Sequence, residues 1–150
     1  MIYEFCAENV TLLEKAMQAG ARRIELCDNL AVGGTTPSYG VTKAAVELAA
    51  NYDTTIMTMI RPRGGDFVYN DLEIAIMLED IRLAAQAGSQ GVVFGALTAD
   101  KKLDEPNLEK LIAASKGMEI VFHMAFDELS DEDQLEAIDW LSQAGVTRIL

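Results

Sequence analysis

Short runs rich in β-branched and aromatic residues alternate with longer stretches of helical periodicity along the chain. Ile2–Cys6, Arg23–Cys27, Thr55–Arg61, Gly91–Gly95 and Glu119–Met124 predict strands, and Thr147–Leu150 predicts the start of a sixth. Between them, Glu8–Gln18, Val41–Ala50, Asp71–Ala87, Glu105–Ser115 and Asp131–Ala144 predict helices. In the first of these, Val10, Leu13 and Met17 share one face. The triplets Gln18-Ala19-Gly20, Gln86-Ala87-Gly88 and Gln143-Ala144-Gly145 each stand about three residues before a strand. A glycine there is the expected left-handed helix stop before a short loop.

A repeated strand–helix unit implies parallel strands joined by helical crossovers, in either a barrel or an open doubly wound sheet. No G-x-G-x-x-G follows the first strand, which weakens the dinucleotide-binding form of the open sheet. Alternation along the strands separates the two architectures further. It puts Ile2, Glu4 and Cys6 on one face of the first strand, with Tyr3 and Phe5 on the other, and it splits Arg23, Glu25 and Cys27 from Ile24 and Leu26. A sheet covered on both faces is apolar throughout. Here one face suits covering helices, while the other carries charge that we place toward its C-terminal end, as at the mouth of a (β/α)8 TIM-type barrel. The alternative is an edge strand with one wet face. Eight units are needed to close such a barrel, and about five and a half are present, ending inside the apolar run Arg148-Ile149-Leu150. We therefore expect residues 1–150 to form a single incomplete TIM-barrel domain. It would be the N-terminal part of a longer barrel, or one completed by another chain, with open sheet edges if left alone.

The composition narrows the partners. Of 150 residues, 24% are charged, and 24 Asp and Glu against 12 Lys and Arg give a net charge of -12. A phosphate backbone repels such a chain, so nucleic acid is excluded as a partner, and an anionic membrane surface is disfavoured for the same reason. No apolar run approaches the roughly 20 residues that span a bilayer, and the N-terminus lacks the pattern of a signal peptide. Two cysteines do not make a disulfide scaffold, so the expected setting is the cytoplasm, with reduced thiols.

Candidate chemistry gathers at the predicted strand ends. Arg61-Pro62-Arg63-Gly64-Gly65-Asp66 places two guanidiniums beside a Gly-Gly turn, a combination suited to a phosphate or carboxylate. The alternative is a structural loop whose arginines pair with Glu4, Glu25 or Asp66. Gly33–Gly40 is a long loop of small polar residues. His123 is the single histidine, and it is a candidate acid/base or metal ligand, or else a satisfied core residue. Asp127 lies beyond it, placed to orient the imidazole or hold an arginine. Glu4 and Glu25 share parity on neighbouring strands and are expected to meet Arg61 if they point inward. Their proximity raises the prospect of acid/base work by Glu25 or, alternatively, of a neutralised ion cluster. Cys6 and Cys27 end the first two strands at positions read as equivalent. With strands about 4.8 Å apart, both sulfurs reach one ion. Two soft thiolates suit two-coordinate Cu(I) better than tetrahedral Zn(II), which needs two more ligands. The other reading is a pair of buried packing groups. Met57, Met59, Met118 and Met124 are thioether candidates in number only.

Four segments together resemble the copper homeostasis protein CutC family. They are Arg23-Ile24-Glu25-Leu26-Cys27, Gly33-Gly34-Thr35-Thr36-Pro37-Ser38-Tyr39-Gly40, Ile60-Arg61-Pro62-Arg63-Gly64-Gly65-Asp66-Phe67 and Phe122-His123-Met124-Ala125-Phe126-Asp127. Met124 departs from the arginine found there in many members. The resemblance implies a cytoplasmic (β/α)8 barrel somewhat longer than this chain, and a Cu(I) site at the cysteines matching Cys6 and Cys27. It names no reaction. Two functions stand side by side. One is copper binding and homeostasis. The other is a barrel enzyme acting on a small anionic metabolite, phosphorylated or not, with Glu25, His123 and Asp127 as catalytic groups and Arg61, Arg63, Gly64 and Gly65 as its anion site. The implied partners are a copper ion or a small anionic ligand, with a homo-oligomer left open.

Overall fold

The computed structural model describes residues 1–150 as six strands alternating with five α-helices. The order is β1 (Glu4–Glu8), α1 (Leu13–Gln18), β2 (Arg23–Cys27), α2 (Tyr39–Ala49), β3 (Thr55–Met59), α3 (Asp71–Ala87), β4 (Gly91–Phe94), α4 (Glu105–Ala114), β5 (Glu119–Phe122), α5 (Asp131–Gln143) and β6 (Arg148–Ile149). All strand pairs are parallel, and the sheet runs β1-β2-β3-β4-β5-β6 in chain order. A doubly wound sheet reverses its order at a switch point. This one does not, and it curls into a half-barrel.

Each face of the sheet has its own core. Ile24, Leu26 and Ile56 pack with Leu13, Met17, Ala45 and Ala49 under α1 and α2. Val92, Phe94, Ile120 and Phe122 pack with Ile74, Met77, Ile81, Leu108 and Leu111 under α3 and α4. The opposite parity supplies a separate cluster of Cys27, Met57, Met59, Val93 and Val121. These residues come from four neighbouring strands and meet with no helix between them. The alternating faces therefore divide as expected, with helices outside and side chains filling the concave interior. Gly91 belongs to this filling. A Cβ at Gly91 would lie 2.0 Å from the Met57 Cε and 2.8 Å from the Glu119 carbonyl oxygen, so the missing side chain is the space Met57 occupies.

The charge on the inner face is not where we expected it. Arg23 pairs with Glu4 (3.5 Å) and Glu119 (3.8 Å), and Arg148 pairs with Glu119 (3.0 Å). This ion network sits at the N-terminal end of the strands, because Glu4, Arg23 and Glu119 are the first residues of β1, β2 and β5. It is the neutralised cluster foreseen for Glu4, but built with Arg23 and Arg148 rather than Arg61.

Helix starts follow side-chain capping. Ser38, Asn70, Asp104 and Ser130 each accept a backbone N–H from the first turn, and Asn70 with Glu73 forms a capping box. Gly20, Gly88 and Gly145 all have positive φ, as their positions predict. β3 and β5 each end two residues earlier than expected, and the first unit departs from prediction most. β1 runs two residues later than the apolar run Ile2-Tyr3 suggests, because Ala7 and Glu8 pair with Leu26 and Cys27. α1 begins only at Leu13, since Asn9 (φ 58) and Leu12 (φ 59) adopt left-handed backbone and break the helical pattern.

Candidate functional site

Cys6, Glu25 and Cys27 form one cluster on the inner face, with ligand atoms all within 4.8 Å of one another. The strand register explains the composition. Cys6 lies opposite Glu25 and Cys27 opposite Glu8, so the cysteines are not at equivalent positions as read from the sequence. They meet on the diagonal, with their Sγ atoms 4.0 Å apart. Glu25 stands two residues before Cys27 on the same face of β2, and it is drawn into the space between them. Its Oε1 lies 3.7 Å from the Cys6 Sγ and 3.6 Å from the Cys27 Sγ, so the two thiol protons are shared among three close contacts. Burial pushes the Glu25 carboxyl above its ordinary range. The hydrogen bond between the thiols holds Cys6 below its ordinary range and, together with burial, pushes buried Cys27 well above it. Sequence reasoning placed Glu25 among catalytic groups. Its place beside the sulfurs follows from register, which the sequence does not display.

The methionines divide. Met57 and Met59 share the buried inner cluster with Cys27. Met118 packs against the outer core. Met124 covers Gly33, where a Cβ would lie 2.5 Å from its Cε and 3.2 Å from the Arg61 Nη1.

Arg61 is buried at the end of β3 and meets neither Glu4 nor Glu25. Its guanidinium donates to the carbonyls of Val32 (2.8 Å), Gly34 (3.0 Å) and Gly65 (2.8 Å) and lies 4.8 Å from the Phe67 ring centroid. Its backbone N–H donates to Thr36 Oγ1, and its carbonyl accepts from the Thr36 N–H, both at 2.9 Å. One arginine thus ties the loop after β2 to the loop after β3. Arg63 turns away toward α3. It pairs with Glu73 and with Asp66 (3.1 Å), donates to the Val68 carbonyl (2.8 Å) and lies over the Tyr69 ring. Its guanidinium, beside Glu73, holds that carboxyl below the usual range. Gly64 and Gly65 turn carbonyls toward these arginines. The two guanidiniums therefore do not converge on one point.

His123 is buried, with Nδ1 accepting the Ala125 N–H at 3.2 Å. That bond places the ring proton on Nε2, which has no partner. Burial, with the nearby Arg61 charge adding to it, lowers the imidazole to about 3, so it is neutral at physiological pH. A Cβ on Gly95 would fall 2.8 Å from the ring, so Gly95 provides its room. Asp127 is exposed in the short 3-10 turn Met124–Glu128 and makes no hydrogen bond or ion pair. It neither orients His123 nor holds an arginine, because the turn carries it out to solvent.

No helix is long and apolar enough to cross a membrane. The CutC family profile matches residues 1–150. The CutC family protein of Enterococcus faecalis is 57% identical over 150 residues, which are 100% of this chain and 72% of that one. A crystal structure named for the copper homeostasis protein CutC from Streptococcus agalactiae superposes with a TM-score of 0.96 at 50% identity, over 99% of this chain and 71% of that chain. A phosphonomutase structure from Burkholderia cenocepacia, at 18% identity and a TM-score of 0.72, shares the fold alone. With a profile matching from the first residue to the last, and a relative 57% identical over the whole chain, the chain belongs to the CutC family.

Proposed function

We propose that the protein acts in cytoplasmic copper homeostasis and holds Cu(I) between Cys6 and Cys27, on the inner face of a (β/α)8 barrel of which these are the first six strands. The observation that carries this reading is the sulfur pair at 4.0 Å on a shared carboxylate. Metal–sulfur bonds of about 2.3 Å fit a single ion between sulfurs at that separation. Soft thiolates select Cu(I) over hard cations, and two of them satisfy it. Both thiols lose their protons on binding: Glu25, within reach of both sulfurs, takes up one, and the other leaves to solvent. The copper-homeostasis name of the Streptococcus agalactiae relative supports the same reading.

The test is Cu(I) titration of the intact protein, Cys6→Ser and Cys27→Ser against a competing chelator. Both variants are expected to lose affinity by about a hundredfold or more, and wild-type affinity in both overturns the reading.

A second reading, an enzyme acting on a small anionic metabolite, is favoured by one observation: the Arg61 guanidinium is buried without a carboxylate partner. On this reading Arg61, rather than Arg63, Gly64 or Gly65, carries the anion, and His123 beside it is the reacting group. Turnover of phosphorylated small molecules by the intact protein, lost in His123→Asn, is its test.

A further inference from the structure

Arg61, Tyr69 and His123 are all nearly inaccessible to solvent, and each has a buried polar atom with no partner: Arg61 Nε, Tyr69 Oη and His123 Nε2. Orphaned buried donors are rare, and each one costs free energy that a bound acceptor recovers. These three are neighbours. The Phe67 ring lies 4.8 Å from the Arg61 Cζ and 5.0 Å from the His123 ring centroid, the Arg61 charge acts on His123, and the Tyr69 hydroxyl stands beside the Arg61 guanidinium without a well-formed hydrogen bond to it.

Their chemistry is one-sided. Arg61 Nε carries a hydrogen and cannot accept. His123 Nε2 carries the ring proton because Nδ1 accepts from Ala125. The tyrosine hydroxyl stays protonated, since burial raises it. Arg61 also remains a full positive charge whose only partners are neutral carbonyls and an aromatic face. A buried charge ordinarily has a counter-ion. Phe67, which touches the guanidinium and the imidazole, also lines a cleft of about 510 Å³ whose two carboxylates, Asp66 and Glu128, are paired with Arg63 and Lys101. None of the three donors lines the cleft itself; Phe67 stands between Arg61 and His123 and its open space.

We propose that Arg61 Nε, His123 Nε2 and Tyr69 Oη form a binding site for one oxyanion, a carboxylate or phosphoryl group, delivered from this cleft beside Phe67. The proposal rests on the anionic ligand of the second reading but requires no turnover. It is separate from the copper site, since it shares no residue with Cys6, Glu25 or Cys27.

The experiment is calorimetric titration of the intact protein with inorganic phosphate and with acetate. Wild type is expected to bind at least one. Tyr69→Phe, which keeps the ring, and His123→Asn, which keeps an acceptor for Ala125 N–H, are each expected to bind about tenfold more weakly or worse. Absence of binding to wild type, or wild-type affinity in both folded variants, overturns the proposal. A crystal of the unaltered protein soaked in phosphate gives the check that no variant can confound. Tetrahedral density in reach of His123 Nε2, or carboxylate density there in a parallel acetate soak, supports the site, and a lone water there in both overturns it. Cu(I) affinity in Tyr69→Phe is expected to match wild type, so failure here leaves the copper reading standing. Binding without catalysis supports the site while removing the enzyme.

Discussion

Cys6 and Cys27 meet across a diagonal rather than face to face, because β1 and β2 pair Cys6 with Glu25 and Glu8 with Cys27. The consequence is that neither sulfur is adjusted without Glu25. A direct cross-strand pair would have left the carboxylate one layer below. In this register Oε1 lies under both thiols.

That placement predicts an intermediate phenotype for Glu25→Gln. The amide keeps the size and one acceptor oxygen but takes up no proton. Removing an outer partner of a metal ligand typically costs 10- to 100-fold in affinity. We expect Cu(I) binding by the intact protein to weaken about tenfold in Glu25→Gln, and far less than in either Cys→Ser variant. Competitive titration at neutral pH measures the order. A Glu25→Gln defect equal to that of Cys6→Ser would make the carboxylate a ligand in its own right.

Arg61 and Arg63, two residues apart, are predicted to differ in stability. Arg61→Met leaves the buried carbonyl of Gly34 and the part-buried carbonyls of Val32 and Gly65 without their donor and frees two loops from each other. Unmade hydrogen bonds of this kind cost about 1–3 kcal/mol each, so a loss of about 3 kcal/mol or more is expected. Arg63→Met removes ion pairs that are partly exposed, which are worth about 1 kcal/mol or less. Urea denaturation of the two variants beside the parent decides the order, and equal losses would contradict it.

This contrast shows where the sequence stops being legible. The six strands, the parallel order and the sidedness of β2 follow from periodicity, because alternation and helix stops are local signals. Asp71–Ala87 has an Asn cap and a Gly stop, and its predicted bounds match the helix found. The site depended on non-local facts. Arg-Pro-Arg-Gly-Gly-Asp looks like an anion loop, yet loop packing commits Arg61 to carbonyls and capping-box geometry commits Arg63 to Glu73. Tyr69 carried no signal at all until Arg61 and Phe67 were seen beside it. The equivalence assigned to Cys6 and Cys27 failed on a two-residue displacement of β1, set by the pairing of Ala7 and Glu8 with Leu26 and Cys27, a non-local fact.

Gly91→Ala is predicted to destabilise the barrel interior by about 1–3 kcal/mol, the usual range for overpacking. Its Cβ would collide with the Met57 side chain and with the backbone oxygen of Glu119. Only the first collision can be relieved by substitution. Gly91→Ala with Met57→Ala should therefore recover part of the overpacking penalty. It should not reach the stability of Met57→Ala alone. A double-mutant cycle by chemical denaturation measures this, and full recovery would show that the carbonyl contact is tolerated.

His123 predicts a pH dependence with a definite sign. Its ordinary value is 6.5, and in the folded protein burial lowers it to about 3. Between those values the unfolded chain binds a proton that the folded one refuses. Stability from this group is thus complete above pH 6.5, declines as pH falls, and levels off only near pH 3. The slope approaches about 1.4 kcal/mol per pH unit at its steepest. Glu25, raised by burial, acts in the opposite direction, since its folded form holds the extra proton. Comparing the intact protein with His123→Asn removes that contribution, because Glu25 is common to both. Asparagine does not titrate but can still accept the Ala125 N–H. Denaturation between pH 7 and pH 4.5 should show the parent losing about 2 kcal/mol more than the variant over that interval. Parallel curves would mean that the imidazole is protonated in the fold, and a protonated ring would put a second charge beside Arg61.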